Sequence, residues 1–380
     1  MSFAENLRIA IDSGLATYEA VGGSGADAYS PEPIPHPMAD GKCLSLLDVL
    51  RRSNLLSATQ FDARVAAVCH RLEEAALLPF DDGWCWGLGF SWRELPATEA
   101  FLITSALIVR GGLACLGEGT SSECLRRLLA QGMQGLSAWL RDLALPVGEV
   151  GLTIPAYSPG IRAPIYNAAA CAYGTLRVGE SVGWPSECAS ELLSSMGWIR
   201  SHRVAGLGWP YSPGSPVVDL LHQCYILNAM ADVFGTPSVE VATAEMVGQF
   251  AGPCGFADVI HLRNAGELGV AVRDIPWLRP LSTGWIEVLP KPARLWSLGE
   301  LLVVISRLGL EGDRADAWLR LGRRIAESIL QHLSAGQNPE ARYPRHVMHA
   351  LHGLGCYLAL LRERARQTST TKLAVPGNRE

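Results

Sequence analysis

Charge is scarce in this sequence. Asp, Glu, Lys and Arg make up 18% of 380 residues, the formal net charge is −5, and Lys and Arg are scattered without a basic run. Neutralising phosphates along a duplex requires such a run or patch, so no nucleic-acid partner is expected. Long apolar stretches are also missing. The most hydrophobic window, Ala100 to Leu116, is broken by Arg110-Gly-Gly. A bilayer span needs about 20 apolar residues, so the window reads as a buried helix and no transmembrane segment is expected. The first residues, Met1-Ser-Phe-Ala-Glu-Asn-Leu-Arg8, lack a basic region followed by an apolar core, and no signal peptide is expected. The ten cysteines (Cys43, Cys69, Cys85, Cys115, Cys124, Cys171, Cys188, Cys224, Cys254 and Cys356) include no Cys-x-x-Cys pair, and most stand in apolar helical segments. They read as reduced thiols packed as small hydrophobes, which points to the cytoplasm.

Several chemical signatures are absent too: a phosphate-loop glycine pattern, His-Glu-x-x-His, the Asp-x-Asp-Asp of protonation-initiated terpene cyclases, and an aspartate-rich diphosphate motif. No cofactor is expected. His346, His349 and His352 follow at three-residue intervals, but with no Glu to complete a zinc motif, hydrogen bonding is favoured over metal ligation for His346.

What the chain does have is 48% hydrophobic residues, enough for a large core, and a repeating order of segments. Polar-faced helices (Gln60 to Leu78, Ser121 to Leu143, Pro185 to His202, Asp313 to Leu333) alternate with uncharged ones (Ala100 to Val109, Pro164 to Val178, Pro292 to Leu308, Pro344 to Leu361). Inner helices of a double ring are covered on nearly every side and outer ones on one side only, so the alternation predicts an all-α fold, an (α/α)6-type toroid of helical hairpins. Residues 1–40 read as an irregular N-terminal arm that opens with a short helix before the Gly/Ser/Pro-rich passage from Gly22 to Pro37, 41–364 as the toroid, 259–289 as an insertion within it, and 365–380 as a flexible tail. Pro96, Pro164, Pro216, Pro292 and Pro344 each precede an apolar helix and are expected at its first position. Three residues after the first three of them stand Glu99, Asn167 and Asp219.

In such a ring the inner-helix N-termini gather at one end, and the loops before the prolines wall a funnel there. These loops carry Trp84, Trp86, Trp92, Arg93, Tyr157, Arg162, Trp209, Tyr211, Arg294, Arg342 and Tyr343, with Tyr166, Asn167 and His346 in the first helical turns. Helix dipoles and guanidiniums favour an anionic ligand, and Trp and Tyr faces suit sugar rings. Asp219 and His222 share a helix face and form a candidate acid/base pair, with Glu99 as a further candidate. The alternatives are that the two carboxylates serve helix starts and that His222 packs in the core. Tyr-Ser-Pro-Gly occurs twice, at 157–160 and 211–214.

Across residues 45 to 362 these blocks resemble a bacterial family of (α/α)-barrel proteins found among exopolysaccharide and capsule biosynthesis genes. The resemblance rests on Trp86-Gly-Leu-Gly-Phe-Ser-Trp92 before Ile103-Thr104, Tyr157 with Arg162 and Tyr166-Asn167, Trp209-x-Tyr211 leading to Asp219-x-x-His222, and Arg342 with Arg345. Where the family reads Asp-Asn-Phe-His-Thr, this chain has Asp219-Leu-Leu-His222-Gln223. The resemblance implies a toroid linked to surface polysaccharide and similar to uronyl epimerases, polysaccharide lyases and terpenoid cyclases. The expectation is a carbohydrate-active protein, an epimerase, lyase or hydrolase on a small-molecule or oligosaccharide substrate of anionic character. An isoprenoid-type cyclase or transferase on the same ring, and a non-catalytic ligand-binding assembly protein, stand as alternatives.

Overall fold

The structure, a computed structural model, describes residues 1–27, 30–80, 83–117, 122–148, 151–184, 189–252, 255–263, 278–281, 284–288, 292–311, 314–334 and 338–373. Among them are α1 (Phe3–Ala20), strands β1 (Ser24–Asp27) and β2 (Ser30–Pro35), α2 (Pro37–Arg52), α3 (Ala58–Glu74), α4 (Leu102–Cys115) and α5 (Glu123–Asp142). There follow β3 (Ala144–Pro146), β4 (Thr153–Pro155), α6 (Tyr166–Ser181), α7 (Ala189–Ser201), β5 (Val217–Asp219), α8 (Leu220–Phe234) and α9 (Glu240–Phe250). The chain continues with β6 (Ala251–Gly252), β7 (Gly255–Phe256), β8 (Val259–Arg263), β9 (Leu278–Leu281), β10 (Gly284–Val288), α10 (Leu295–Glu311), α11 (Ala315–Ser334) and α12 (Pro344–Leu373).

The even-numbered helices form the inner ring. Each packs against the next, and α12 closes on α2. Outside them, α3 covers α2, α5 covers α4, α7 covers α6, α9 covers α8, α11 covers α10 and α1 covers α12. This is the expected (α/α)6 toroid, and residue burial follows the layering. On α4 every residue from Leu102 to Val109 is buried. On α5 the buried set Leu125, Leu128, Leu129, Gly132, Met133 and Leu136 recurs at helical spacing, which leaves Arg126 and Arg127 to solvent. No helix among the described residues is long and apolar enough to cross a membrane.

Two sequence expectations are corrected here. The N-terminal segment is not an irregular arm: α1 runs for 18 residues and buries Leu7, Ile11, Leu15 and Tyr18 as the sixth outer helix. Its anchor is Asp40 on α2, whose Oδ1 accepts from Tyr18 Oη at 2.8 Å and from Arg71 Nε at 3.0 Å, so one buried carboxylate ties α1 and α3 to the inner ring. The hairpin β1–β2 is pinned to α12 by the buried ion pair of Asp27 with Arg345 at 3.0 Å. At the other end, α12 continues to Leu373, past the expected start of a tail; residues 374–380 lie outside the described residues.

The prolines also stand earlier than expected. Pro344 opens α12, but α4, α6, α8 and α10 begin at Leu102, Tyr166, Leu220 and Leu295, several residues after Pro96, Pro164, Pro216 and Pro292. The residue just before each of α4, α6 and α8 is extended, with Phe101, Ile165 and Asp219 in the β region; a turn closed by Glu99 N donating to Pro96 O at 3.0 Å follows Pro96, and Pro164 and Pro292 are held in bridges to Ala156 and Ala257. Glu99, Asn167 and Asp219 are therefore not equivalent. Glu99 lies in a loop, Asn167 is the second residue of α6, and Asp219 is the N-cap of α8.

The inner ring closes tightly at glycines. A Cβ on Gly111 of α4 would strike the Gly41 carbonyl of α2, and one on Gly353 of α12 would strike the Gly299 carbonyl of α10. Backbone does not yield as a side-chain tip does, so Gly353→Ala is expected to lower the unfolding free energy by about 1–3 kcal/mol. Urea denaturation checks this; an unchanged midpoint would show that the crossing relaxes freely.

Candidate functional site

The first backbone N–H of an inner helix has no partner within its own helix. In this ring the next lead-in loop supplies one. Leu102 N donates to Tyr157 O at 3.1 Å, Tyr166 N to Tyr211 O at 3.4 Å, and Leu220 N to Asp258 O at 2.9 Å. Leu295 N donates to Glu340 Oε2 at 2.6 Å. Each of these loops is thus stitched to the start of the preceding inner helix, and Tyr157, Tyr211, Asp258 and Glu340 occupy matching places around the N-terminal end of the inner ring. The duplicated Tyr-Ser-Pro-Gly is this joint seen twice.

Asp219 and His222 are brought together, but not as a carboxylate orienting an imidazole. Asp219 Oδ1 accepts from the His222 backbone N–H at 3.2 Å, and Oδ2 pairs with Arg294 Nη2 at 2.6 Å. Arg294 also pairs through Nε with Asp258 Oδ2 at 2.6 Å. His222 lies against the Tyr211 ring at 4.8 Å between centroids, and its Nδ1 has no hydrogen-bond partner. Burial lowers the His222 pKa and the neighbouring Arg294 adds to this, outweighing the opposite pull of Asp219 and Asp258.

A second imidazole stands in the same relation to its helix. His346 is the third residue of α12, as His222 is of α8. It stacks on Trp296 at 4.5 Å and 22°, meets Tyr343 edge-on at 5.3 Å, and lies 3.4 Å from Glu340 Oε2. Burial lowers its pKa, and the Arg345 charge contributes. Burial would raise the Glu340 carboxyl, but hydrogen bonding to His346 and the Leu295 amide holds it below the usual range. The first turns of the inner helices also carry other buried polar atoms without a hydrogen-bond partner: Thr104 Oγ1 on α4, Asn167 Oδ1 on α6 and Trp296 Nε1 on α10.

Of the remaining candidates, Glu99 accepts from Gly160 N at 2.6 Å and ties the α4 loop to the Tyr157 loop. Trp92 packs against Phe101 and Tyr157 at 6.0 and 6.3 Å, with the exposed Arg93 guanidinium 4.4 Å from its ring centroid. Burial raises the phenols of Tyr157 and Tyr211. Arg162 and Arg342 are exposed on the loops before α6 and α12.

Three aromatic candidates turn out to be scaffold. Trp86 is 0% exposed and Trp209 is 3% exposed. The two make the same contacts in different repeats: the indole N–H of Trp86 donates to Leu72 O and that of Trp209 to Ile199 O, each at 2.7 Å, while their backbone amides donate to Ser105 Oγ and Gln223 Oε1. They pin loops to outer helices and have no face left for a ligand. Tyr166, at 1% exposed, points to the outer layer and packs on Trp198 and His202 at 5.6 and 5.8 Å. On α12 the three histidines have separate partners. His349 Nε2 meets Tyr225 Oη and its Nδ1 meets Arg345 O, both at 2.6 Å, and His352 Nε2 is 3.5 Å from Cys356 Sγ.

Sequence reasoning missed Asp258, Trp296 and Glu340. Trp296 had a signal in the first turn of an apolar helix. Asp258 and Glu340 act from loops with no pattern of their own. The expected 259–289 insertion holds β8, β9 and β10, which continue an antiparallel sheet from β5, with Asp219 opposite Val259. That sheet abuts the start of α8; residues 264–277, 282–283 and 289–291 lie outside the described residues.

No protein-family model matches the chain, and no curated protein matches it. Solved structures do. A sugar epimerase from a ruminal bacterium superposes with a TM-score of 0.63 at 11% identity, over 95% of this chain and 99% of that one. An unsaturated glucuronyl hydrolase specific for heparin gives 0.56 at 8% identity over 94% and 98%. The cellobiose 2-epimerase of Spirochaeta thermophila gives 0.55 at 13% identity over 97% and 100%. The shared feature is the (α/α)6 ring.

Five histidines, His36, His222, His346, His349 and His352, have pKa values lowered chiefly by burial. In each case the unfolded chain binds the proton more readily, so the stabilisation is complete above the unfolded pKa near 6.5 and is lost as pH falls below it. Unfolding free energy is expected to drop between pH 7 and 5 with a slope of up to about 1.4 kcal/mol per pH unit for each histidine. Urea denaturation of wild type and His352→Asn checks this, and an equally steep profile in the variant would remove His352 as a contributor.

Proposed function

We propose that this chain is a carbohydrate-active enzyme that inverts a sugar carbon next to a carbonyl, with His222 and His346 as its proton-transfer groups. The observation carrying the proposal is the pair of imidazoles at the third position of α8 and α12, both with pKa values lowered by burial. A neutral imidazole is the form able to take a proton. One histidine removes the hydrogen from the carbon beside the carbonyl and becomes an imidazolium. The other, protonated from solvent, returns a proton to the opposite face. The negative charge that develops on the carbonyl oxygen meets the positive ends of the converging inner helices.

The carboxylates argue against glycosidic hydrolysis, which requires a protonated acid and a second free carboxylate. Asp219 caps α8 and pairs with Arg294, Glu99 holds Gly160, and Glu340 accepts from Leu295 with a lowered pKa. Asp219 is accordingly a positioning residue that sets the start of α8. The polar groups of the first turns argue against an isoprenoid-type cyclisation, which calls for an apolar wall. Arg93, Arg162 and Arg342 are exposed on three of the surrounding loops and would hold the acid group of an anionic sugar, with Trp92, Tyr211 and Trp296 beside its ring. The location follows from the reduced cysteines read in the sequence and is cytoplasmic, with a role in surface-polysaccharide synthesis. Epimerases among the structures with the same ring agree with this reading.

The test is exchange of the carbon-bound proton in D2O, followed by NMR, with cellobiose and glucuronate as probes. Deuterium is expected next to the carbonyl in wild type, with the rate reduced about 10²- to 10⁴-fold in His222→Gln and in His346→Gln. Release of a free monosaccharide without exchange, or full exchange in both folded variants, would overturn the proposal.

A further inference from the structure

The opposite mouth of the ring, where the inner helices end, holds a cavity of about 510 Å³. It lies within the size range of small-molecule sites. Its walls come from α2, α4, α8, α10 and α12 with Cys171 of α6, running from mid-height at Lys42, Tyr225 and Glu300 to the helix C-termini, and neither His222 nor His346 lines it.

Charge on these walls is unusual for the interior of a protein in which charge is scarce. Asp232 of α8 lies between Arg110 of α4 and Arg307 of α10, with Arg307 Nη1 2.8 Å from Oδ1. Asp48 of α2 is paired with Arg51 at 3.0 Å and Arg52 at 2.6 Å. Glu300 of α10 pairs with Lys42 of α2. Four lining cations, Lys42, Arg52, Arg110 and Arg307, thus meet three buried carboxylates, which leaves one guanidinium in excess. An arginine has five N–H donors in a fixed fork, and Asp232 offers each of its two arginines a single oxygen. Rim residues Arg362, Arg366, Glu311 and Glu363 are balanced in sign. Arginines near helix ends complement the local carbonyls, which explains one cation per helix. It does not explain two arginines converging from separate helices on one carboxylate.

The cavity also has polar atoms with nothing to bond to. His352, 8% exposed, has Nδ1 without a partner, as does Asn228 at Oδ1. Both residues line the cavity. A buried polar atom left unpaired costs about 1–3 kcal/mol, which a ligand's hydroxyl groups would recover. Val49, Leu107 and Ala229 supply apolar wall.

We infer that the C-terminal mouth of the ring is a second ligand site, and that it takes a small phosphate monoester. The phosphate is held by Arg110, Arg307 and Arg52, and the hydroxylated body of the molecule reaches Asn228 and His352. Forked guanidiniums match phosphate oxygens in pairs, which a lone carboxylate or a neutral sugar would use less fully.

The test is isothermal titration of the full chain with glucose 6-phosphate, inorganic phosphate and glucose, against chloride matched for ionic strength. Saturable binding is expected for the first two and none for glucose. Arg307→Lys, which keeps the charge but loses the fork, is expected to weaken binding about 10- to 100-fold. Arg52 is 66% exposed, so Arg52→Gln removes a donor without disturbing the core and is expected to act in the same direction. His222→Ala, at the other end of the ring, is expected to bind as wild type does. No saturable binding in wild type would overturn the inference. So would unchanged affinity in both arginine variants, or a loss confined to His222→Ala, which would place the phosphate in the funnel.

Discussion

The first amide of an inner helix is the constraint on which the funnel depends. Burying a closed ring of parallel helices brings their unsatisfied N–H groups to one end, away from easy solvation. Side-chain capping is sparse there: α2, α4 and α6 have no side-chain cap, whereas α8 has one from Asp219. The ring instead passes the first amides of α4, α6, α8 and α10 to the following loop, through Tyr157 O, Tyr211 O, Asp258 O and the Glu340 carboxylate, while α2 and α12 begin at Pro37 and Pro344, which have no N–H. A loop conformation is thereby set by the neighbouring helix as much as by its own. The funnel wall becomes one connected structure rather than a group of independent loops.

That connectivity explains which parts of the site were legible in the sequence. Alternation of covered and half-covered helices is a local property, and it located α3, α5, α6, α7, α10 and α11 to within a few residues, while α12 runs on to Leu373 past its expected end at Leu361. The Tyr-Ser-Pro-Gly repeat was visible because the stitch reuses the same turn. Its meaning was not, because the bond goes to a helix start elsewhere in the chain. Counting three residues from each proline failed for the same reason. A turn after Pro96, and extended residues after Pro164 and Pro216, separate these prolines from their helices, so equal spacing did not mean equal position.

The tryptophans make a related point. Trp86 and Trp209 sit in aromatic loops beside Gly and Pro, which reads as a binding surface, yet both indoles are spent on outer-helix carbonyls. Composition says that a loop is aromatic, but only packing says which aromatics face inward. Trp296 and His346 are on helices, where the helical period controls direction, and these two meet face to face. The N-terminal segment was misread on similar grounds. Its Gly/Ser/Pro passage hid how firmly Asp40 and Arg345 hold the flanking elements.

The two ends of the ring put ionisable groups to opposite uses. At the N-terminal end, carboxylates are consumed in caps and ion pairs, and burial favours uncharged imidazoles, so the groups left over are proton acceptors in a positive field. At the C-terminal end the helix dipoles reverse, and arginines collect around two buried carboxylates, Asp48 and Asp232. Helices α8 and α12 each span both ends: α8 carries His222 in its first turn and Asp232 near its last, and α12 carries His346 above His352. Between them lie the Tyr225–His349 hydrogen bond and the Lys42–Glu300 pair, both buried. Breaking either would leave an unpaired polar group in the interior. This polar waist therefore fixes α2, α8, α10 and α12 to one another at mid-height. The positions of His222 and His346 depend on it, because any tilt of α8 or α12 about that level moves their first turns.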